Sequence, residues 1–320
     1  MGGYSSEYKI SLNSGNVVYE TLDDSKYTAY RIHIFKDKWV YVNDLEEEFP
    51  IDKNDFSINV GAFKIKFDCV FNAIHGSPGE DGFMQGYFDL LGIPHTSCDM
   101  YQAALTFNKR DLLSVLKPYG IKTAESFHIN LGDSINEDAI IAKVGLPCFV
   151  KANKAGSSFG VSKVHKKDHL QNAINIAFKE DDEIIIESFL DGVEVSVGVI
   201  TYKGKTKILP ITEIVSENDF FDYEAKYLGK SQEITPARLT DEQEKKVTKE
   251  AKKVYEILKM KGFSRSEFIF KNGEPYLLEM NTIPGLTQES ILPQQAAAAN
   301  ISLADLFASA IEDSLMSTIG

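Results

Sequence analysis

The sequence predicts an α/β (α+β) protein of 320 residues that divides into three regions of about 100 residues each. A mainly apolar strand at residues 67–74 runs through a glycine-rich turn into an apolar-periodic helix, which is the unit of a parallel sheet. Two further strands, 148–151 and 183–187, flank a second glycine-rich stretch. An alternating strand at 193–200 and a hairpin at 266–279 characterise the last region.

Capping and periodicity signals predict the remaining helices. Residues 240–243 match a capping box at the start of one helix. Another helix is predicted to begin near Thr106 and to contain Lys109, and the last two are predicted to follow Ser290 and Ser302.

The composition restricts the class of protein. The chain is 43% hydrophobic and 25% charged, which is typical of a folded globular protein. Its net charge of -13 argues against a general nucleic-acid binder, because such proteins need excess Lys and Arg to displace counterions. There is no apolar run of about 18 residues that could span a bilayer, and the first residues lack the basic and apolar blocks of a signal peptide. Its 3 cysteines include no CxxC pair, as expected for reduced thiols. We therefore expect a cytoplasmic protein with neither a nucleic-acid nor a membrane partner.

Oxygen-bearing side chains gather in the predicted hairpin. Glu279 and Asn281 are two residues apart on a strand, so they share one face, and Glu267 lies on the preceding strand. Carboxylate and amide oxygens suit Mg²⁺, which usually also binds substrate phosphates. The alternative is a strand with one solvated polar face.

The length of the hairpin tests the metal interpretation. A simple two-residue turn at Asn272 and Gly273 would place Glu267 and Glu279 on opposite faces. The metal interpretation therefore predicts an odd-length loop or a β-bulge.

Two other segments have features of a phosphate site. Residues 151–160, KANKAGSSFG, combine glycines, which let backbone N–H groups approach phosphates, with serine donors. They are not a P-loop, since GxxxxGK[ST] is absent, and an ordinary flexible hairpin loop is the alternative. Lys109 and Lys151 could neutralise phosphates, although single lysines are usually solvated. The segment FFDYEAKY at 220–227 is either a lid over a site or a surface loop held by its aromatic side chains.

Together these motifs resemble the D-alanine–D-alanine ligase family. Five motifs occur in family order: GGYSSE (2–7), HGSPGEDG (75–82), KANKAGSSFGVSK (151–163), YEAKY (223–227) and LEMNTIPGLT (278–287). The resemblance implies a three-domain ATP-grasp fold with an N-terminal Rossmann-like parallel sheet that lacks its first strand. The implied domains are residues 1–106, 107–192 and 193–320, the last with a lid loop at 216–236.

The resemblance also implies an activity. ATP would phosphorylate one D-alanine, and the amine of a second would attack this D-alanyl phosphate to give D-alanyl-D-alanine for peptidoglycan precursors. Two Mg²⁺ (or Mn²⁺) ions and a homodimer are implied with it.

Individual roles follow by motif match. The residues implied to contact the ATP phosphates are Lys109, Lys151, Ser158 and Lys226. Those implied to hold adenine and ribose are Glu187, Leu190 and Glu194. The implied metal ligands are Glu267, Glu279 and Asn281, and the implied oxyanion site consists of Arg265 and the N–H of Gly285. The first D-alanine is assigned to Glu7 and His75, and the carboxylate of the second to Ser290 and the N–H of Ile291. The implied hydrogen-bonded triad is Glu7, Ser157 and Tyr227.

Alternatives remain open at this stage. Relatives that make the D-alanine–D-lactate ester generally carry histidine at the place of Tyr227, so the neutral tyrosine favours the peptide. A D-alanine–D-lactate ligase is thus one alternative, and a nucleotide-binding protein without turnover is another. A dinucleotide-dependent oxidoreductase is disfavoured because GxGxxG is absent.

Two departures from the family pattern stand out. Glu267 occupies a position at which many relatives have Asp, which adds a methylene to a metal ligand. Relatives also have a short apolar strand before the Gly-Gly turn, whereas Met1 directly precedes Gly2 here. We expect that this chain starts late and that an upstream apolar segment would raise the melting temperature and lower the KM for D-alanine.

Overall fold

The structure is a computed structural model that describes residues 1–156, 159–216 and 231–317. The helices of this part are α1 (Tyr8–Thr21), α2 (Phe83–Leu91), α3 (Met100–Phe107), α4 (Lys109–Leu116), α5 (Glu137–Val144), α6 (Leu170–Ala177), α7 (Asp241–Ile257), α8 (Ile291–Ala298) and α9 (Leu303–Ser317). Its strands are β1 (Arg31–Ile34), β2 (Trp39–Val42), β3 (Glu48–Asp52), β4 (Ser57–Val60), β5 (Phe63–Ile65), β6 (Ser126–Asn130), β7 (Cys148–Ala152), β8 (Ser162–Val164), β9 (Glu183–Ser188), β10 (Val193–Tyr202), β11 (Lys205–Ile208), β12 (Thr212–Ser216), β13 (Ser231–Ile234), β14 (Phe263–Lys271) and β15 (Glu274–Asn281).

The described strands form three antiparallel sheets, so the mixed α/β class is confirmed. The first sheet has the order β1-β2-β3-β4-β5 and the second β6-β9-β7-β8. In the third, with the order β13-β12-β10-β14-β15, β11 also pairs with β10. Within the described residues, parallel pairing in the first region is limited to isolated bridges between Gly2 and Ile34 and between Val70 and His95.

The strand predicted at 67–74 forms only one of these bridges. The N–H of Val70 donates to Pro94 O (2.8 Å), and the N–H of Thr96 donates to Val70 O (3.0 Å). At residues 73 and 74, backbone groups form hydrogen bonds with side chains instead of with a neighbouring strand. Asn72 Oδ1 accepts from the N–H of Ile74 (3.0 Å), and Ser11 Oγ donates to Ala73 O (2.7 Å). Such local bonds compete with strand pairing, which explains why the apolar pattern overestimates the strand.

The first three residues pair with β1. The N–H of Gly3 donates to Ile34 O (2.7 Å), and the N–H of Ile34 donates to Met1 O (2.9 Å). A cavity of about 770 Å³ adjoins Met1 and is lined by side chains that include Val18, Ile32 and Phe71. The first region therefore has an open cavity of mixed lining beside Met1.

The third sheet is packed against α7. Val195 and Val197 of β10 belong to the same buried cluster as Val247, Ala251 and Val254 of α7. The predicted capping box starts this helix: the N–H of residue 243 donates to the residue 240 hydroxyl (3.3 Å), and the N–H of residue 240 donates to the residue 243 side chain (3.0 Å). Burial of one valine and alanine stripe thus holds α7 on the sheet that carries the candidate site.

The helix that contains Lys109 starts later than predicted. α3 ends at Phe107 and a separate α4 begins at Lys109. Asn108 causes the break, since its Oδ1 accepts from the N–H of Asp111 (3.0 Å) and caps α4. Lys109 is consequently the first residue of a helix.

Other predicted elements are found where expected. The helices after Ser290 and Ser302 are α8 and α9, and the strands β7, β9 and β10 include their predicted ranges. The three cysteines are free thiols. No described helix is long and apolar enough to cross a membrane. The domain boundaries 1–106, 107–192 and 193–320 stay predictions.

Candidate active site

The hairpin of β14 and β15 contains a β-bulge, which changes the strand register between its turn and Glu267. Its turn is the two-residue Asn272-Gly273, with φ of 53° and 75°, because Lys271 pairs with Glu274. These angles fit a type I′ turn. The ladder runs regularly to Phe268 and Leu277 and then shifts, so that Leu278 is an extra residue.

The shift brings the predicted metal ligands to one face. Glu267 pairs with Glu279, and Arg265 pairs with Asn281. Directly opposed residues of an antiparallel pair point the same way. The predicted bulge is therefore confirmed.

A neighbouring strand adds a serine to this face. Ser196 of β10 pairs with Glu267. Its Oγ lies 3.4 Å from Glu267 Oε1 and accepts from the Arg265 guanidinium (3.2 Å), which also contacts Glu267. Arg265 is thus held between two oxygen acceptors on the sheet.

Two lysines approach from other elements. Lys109 Nζ lies 3.2 Å from Glu279 Oε2 and donates to Ala155 O (2.7 Å) in the glycine-rich loop. Lys151 Nζ lies 2.8 Å from Glu187 Oε2. Burial by itself would lower the pKa of Lys151, but the Glu187 carboxylate holds that pKa above its usual value. Both lysines therefore lie close to acidic partners, and Glu187 keeps Lys151 cationic.

A cavity of about 450 Å³ joins these groups between the second and third sheets. The predicted site residues that line it are Lys109, Lys151, Glu187, Leu190, Glu194, Arg265, Glu267 and Glu279. Apolar side chains complete the wall: Phe149, Phe189, Ile269 and Leu278. A partly apolar wall with a few convergent charged groups is typical of a small-molecule site.

The cavity contains an acceptor that fits adenine. Glu187 is buried, and its Oε1 has no hydrogen-bond partner among the residues that the structure describes. A buried carboxylate oxygen requires a donor, which an exocyclic amine would supply. The residues of the cavity thus fit a purine nucleotide.

The hairpin face fits a hard cation. In the described part of the chain, no three His, Cys, Asp or Glu side chains cluster in a way that could hold a metal. The predicted set instead combines the carboxylates of Glu267 and Glu279 with the amide of Asn281, whose Oδ1 accepts from the N–H of Ile283 (2.9 Å). This all-oxygen set suits Mg²⁺ shared with phosphates rather than a site made by protein ligands alone.

Glu7, just before α1, and His75, in a loop, adjoin this site from the first region. The side chains of both are buried, and a Cβ placed on Gly156 would stand only 2.6 Å from Glu7 Oε2. His75 Nε2 lies 3.1 Å from Ser14 Oγ, which accepts from the N–H of Leu286 (3.2 Å). Burial lowers the pKa of His75 to about 4, so its ring is neutral at neutral pH. The first and third regions meet at these contacts.

The residues predicted for the second carboxylate lie at a helix start. Ser290 immediately precedes α8, and its Oγ lies 2.9 Å from Thr287 Oγ1. A Cβ on Gly285 would stand 2.7 Å from Ser290 Oγ, so Gly285 and Ser290 adjoin. The N–H of Ile291, the first residue of α8, belongs to a helix terminus that favours anions.

Four predicted residues lie outside the described ranges: Ser157, Ser158, Lys226 and Tyr227. Most of the predicted lid at 216–236 also lies outside them. Its flanks are described, since Ser216 of β12 pairs with Ser231 of β13.

The sequence reasoning missed several residues. Glu80 belongs to the HGSPGEDG motif at 75–82, but the motif match assigned it no function. Its side chain is buried, and its Oε2 accepts from the N–H of Gly76 (2.9 Å). Phe149 and Lys151 are two residues apart on β7, so their side chains share one face of the sheet. This spacing is the sequence signal that could have placed Phe149 in the same pocket as Lys151. Phe189 packs against Phe149 with ring centroids 6.1 Å apart, a contact without a local signal.

Comparison with known proteins gives the relationship directly. The family model described as D-ala D-ala ligase N-terminus matches residues 1–98, and the model described as D-ala D-ala ligase C-terminus matches residues 115–312. The chain belongs to the D-alanine–D-alanine ligase family. A curated relative named D-alanine--D-alanine ligase, from Flavobacterium johnsoniae, is 72% identical over 98% of both chains.

Solved structures of the family have the same fold. VanG D-Ala:D-Ser ligase from Enterococcus faecalis is 31% identical, with a TM-score of 0.85 over 98% of this chain and 97% of that one. D-alanine--D-alanine ligase from Bacillus anthracis, solved in complex with ATP, is 29% identical, with a TM-score of 0.79 over 100% of this chain and 97% of that one. The mixed α/β fold described above is therefore the fold of this ligase family.

Proposed function

We propose that this protein is an ATP-dependent carboxylate–amine ligase that joins two D-alanine molecules into D-alanyl-D-alanine for peptidoglycan precursors. Family membership and the relative at 72% identity support the substrate. The single observation that carries the chemistry is the shared face of Arg265, Glu267, Glu279 and Asn281, with two lysines across the same cavity.

The first step is phosphoryl transfer from ATP to the carboxylate of one D-alanine. A carboxylate is a poor acyl donor, so formation of D-alanyl phosphate supplies a leaving group. Lys109 and Lys151 are proposed to hold the phosphates, because cations stabilise the charge that spreads during phosphoryl transfer. Glu187, Leu190 and Glu194, which line the same cavity, are proposed to hold adenine and ribose.

In the second step the amine of the other D-alanine attacks the acyl phosphate. The tetrahedral intermediate carries an oxyanion, for which Arg265 and the N–H of Gly285 are the proposed donors. Ser290 and the N–H of Ile291 would receive the carboxylate of the attacking D-alanine, whereas Glu7 and His75 would hold the first. Phosphate then leaves and the peptide bond remains.

Glu267, Glu279 and Asn281 are the proposed ligands of two Mg²⁺ (or Mn²⁺) ions. When bound, such ions neutralise phosphate oxygens and lower the barrier to phosphoryl transfer. The opposed carboxylates and the adjacent amide support this assignment through their hard oxygen donors.

We also propose that the fold is a three-domain ATP-grasp fold with a Rossmann-like first region. The parallel bridges at Gly2 and Val70 support a parallel arrangement there. The homodimer and the cytoplasmic location stay predictions; sedimentation at several protein concentrations would test the former.

Phosphate release from ATP with Mg²⁺ tests the activity. We expect release that depends on D-alanine, dipeptide by mass spectrometry, and little activity with L-alanine. ATP hydrolysis without dipeptide, or no dependence on D-alanine, would contradict the proposal. Added D-lactate tests the alternative ligase, since a dominant ester product would favour it.

The Arg265→Ala variant separates a ligase from a mere nucleotide binder. The variant should lose dipeptide synthesis by about 100-fold or more while it still binds ATP, because the oxyanion donor acts only on the reacting carbonyl. Arg110→Ala is the matched control, as Arg110 pairs with Glu183 and does not line the cavity.

A further inference from the structure

Ser14 joins the first region to the segment that carries the proposed oxyanion donor. Its Oγ accepts from the N–H of Leu286 (3.2 Å), which is 272 positions away in the sequence and directly follows Gly285. The same oxygen lies 3.1 Å from Nε2 of His75. One hydroxyl on α1 thus contacts both a residue proposed to hold the first D-alanine and the backbone beside Gly285.

The contact between Ser14 and Leu286 is enclosed, so water does not compete for it. Both residues are fully or almost fully buried. The side chain of Leu286 belongs to the same buried cluster as Val18, which lies one turn after Ser14 on α1. A backbone hydrogen bond and side-chain packing therefore hold Leu286 against one face of α1.

The direction of the Gly285 N–H depends on its neighbours. This N–H has no hydrogen-bond partner among the residues that the structure describes, so it is available to an oxyanion. On the N-terminal side, the N–H of Ile283 donates to Asn281 Oδ1 (2.9 Å). On the C-terminal side, the N–H of Leu286 donates to Ser14. The segment is thus held at two points, and the second point lies in the first region.

We propose that Ser14 is a positioning residue that aims the N–H of Gly285 at the oxyanion of the tetrahedral intermediate. This inference rests on the proposed function and deepens it, because it identifies the group that sets the geometry of the proposed oxyanion site. Ser14 acts in this role through the backbone of Leu286 and not by contact with the substrate. Its contact with His75 holds the pocket of the first D-alanine and the oxyanion donor in one fixed relation.

Small displacements of an oxyanion donor have large kinetic effects. The donor must lie within hydrogen-bonding distance of the place that the oxyanion takes in the transition state, not of the ground-state carbonyl oxygen. Without the Ser14 hydroxyl, the N–H of Leu286 would be buried without an acceptor, and its peptide unit would turn toward another one. The adjacent N–H of Gly285 would then point away from the oxyanion.

Ser14→Ala tests this role with two ligands of different shape. One is a non-hydrolysable ATP analogue, and the other is a phosphinate analogue of the dipeptide, whose tetrahedral phosphorus places an oxygen where the oxyanion forms. We expect kcat for dipeptide synthesis to fall about tenfold or more and phosphinate binding to weaken by a similar factor, since both depend on the same donor. The Kd of the ATP analogue should change by less than about twofold, because nucleotide binding does not use that donor. Calorimetry with Mg²⁺ measures both affinities.

Ser11→Ala is the matched control. Ser11 lies one turn earlier on the same face of α1 and is equally buried. It also makes two bonds, since its Oγ accepts from the N–H of Gly2 (2.8 Å) and donates to Ala73 O (2.7 Å). Both partners belong to the first region, so loss of this hydroxyl should lower the midpoint of urea unfolding as much as Ser14→Ala does. The wild-type kcat and phosphinate affinity should be retained.

An equal loss of kcat in the two variants would indicate a purely structural effect and overturn the proposal. A wild-type kcat in Ser14→Ala would do the same, as would a loss of kcat without weaker phosphinate binding or with equally weakened ATP-analogue binding. Should Ser14→Ala fail to fold, Ser14→Cys retains the volume and replaces the hydroxyl by a weak S–H group. The same losses of kcat and phosphinate affinity are then expected in Ser14→Cys.

The two proposals fail differently. A wild-type protein that forms no dipeptide from D-alanine contradicts the proposed function. A wild-type protein that forms dipeptide, together with a Ser14→Ala variant that is equally fast, contradicts only the role of Ser14.

Discussion

At the scale of single residues, the site holds charges through partners from distant elements. Glu279 of β15 has Lys109 of α4 3.2 Å away, and Lys151 of β7 has Glu187 of β9 at 2.8 Å. Buried charges are tolerated only when they are paired, so each acid or base fixes the position of its partner.

Glu279→Gln removes a negative charge from the proposed metal face while it retains the shape of the side chain. We expect kcat for dipeptide synthesis to fall by about 100-fold or more, as for loss of one electrostatic group in a transition state. Steady-state kinetics at saturating Mg²⁺ and ATP measure this. Glu274→Gln on the same strand is the control, since Glu274 pairs with Lys122 and Lys246 outside the cavity; an equal loss in both variants would contradict the assignment.

His75 makes stability depend on pH. Burial lowers its pKa from 6.5 to about 4, so the unfolded state binds the proton more readily than the folded state. This contribution to stability is complete above pH 6.5 and is lost as the pH falls from 6.5 to 4, by roughly 3 kcal/mol at the lower limit. Urea unfolding between pH 7.5 and 5 should show a smaller decrease for His75→Gln than for the wild type. The exposed His169→Gln should retain the wild-type decrease, and identical slopes in all three proteins would refute the prediction.

At the scale of elements, the β14–β15 hairpin determines which side chains face the cleft. Its bulge lets Leu278 and Glu279 both line the cavity, while Leu277 and Met280 are buried in the core. The two core-facing residues, Leu277 and Met280, are therefore three positions apart instead of the usual two. The extra residue, Leu278, adds apolar surface to the cavity, and Glu279 still faces the cavity. A bulge next to a site commonly redirects side chains in this way.

Gly273→Ala tests the turn that fixes this register. Gly273 has φ of 75°, and the space that a Cβ would occupy there is open, so any cost comes from the backbone alone. We expect a loss of about 1 kcal/mol in the free energy of unfolding, measured by urea denaturation. Asn272→Gly at the adjacent position, with φ of 53°, should cost much less, and equal losses would contradict the backbone explanation.

At the scale of the whole molecule, the cavity lies between two sheets that contribute different groups. The second sheet supplies Lys151, Glu187 and Phe149, and the third supplies Glu194, Arg265 and Glu267. A ligand that contacts both should hold them together. Bound nucleotide is thus expected to stabilise the fold as well as to enter the reaction.

Mg²⁺ and ATP should therefore raise the melting temperature. At 100 times the Kd, binding adds about 2.7 kcal/mol to the free energy of unfolding. In Lys151→Met the shift, measured by differential scanning calorimetry against the same variant without nucleotide, should be much smaller at equal ATP. Lys122→Met, on the surface beside Glu274, should retain the full shift. A full shift in Lys151→Met would remove Lys151 from the nucleotide site.

Local sequence alone determined much of this protein. Because side chains alternate between the two faces of a strand, the spacing of Glu279 and Asn281 placed them on one face. The requirement that Glu267 share this face predicted the bulge. The capping-box sequence predicted the start of α7. These features depend on neighbours within a few residues, for which the period of a helix or strand and the chemistry of a turn are sufficient.

Only the tertiary structure decided the rest. The approach of Glu7 to Gly76 and the replacement of a strand at 67–74 by the side-chain bonds of Asn72 have no local signal. Such contacts join segments that are far apart in the chain, and their energies come from burial and charge pairing, which exist only after the regions have packed.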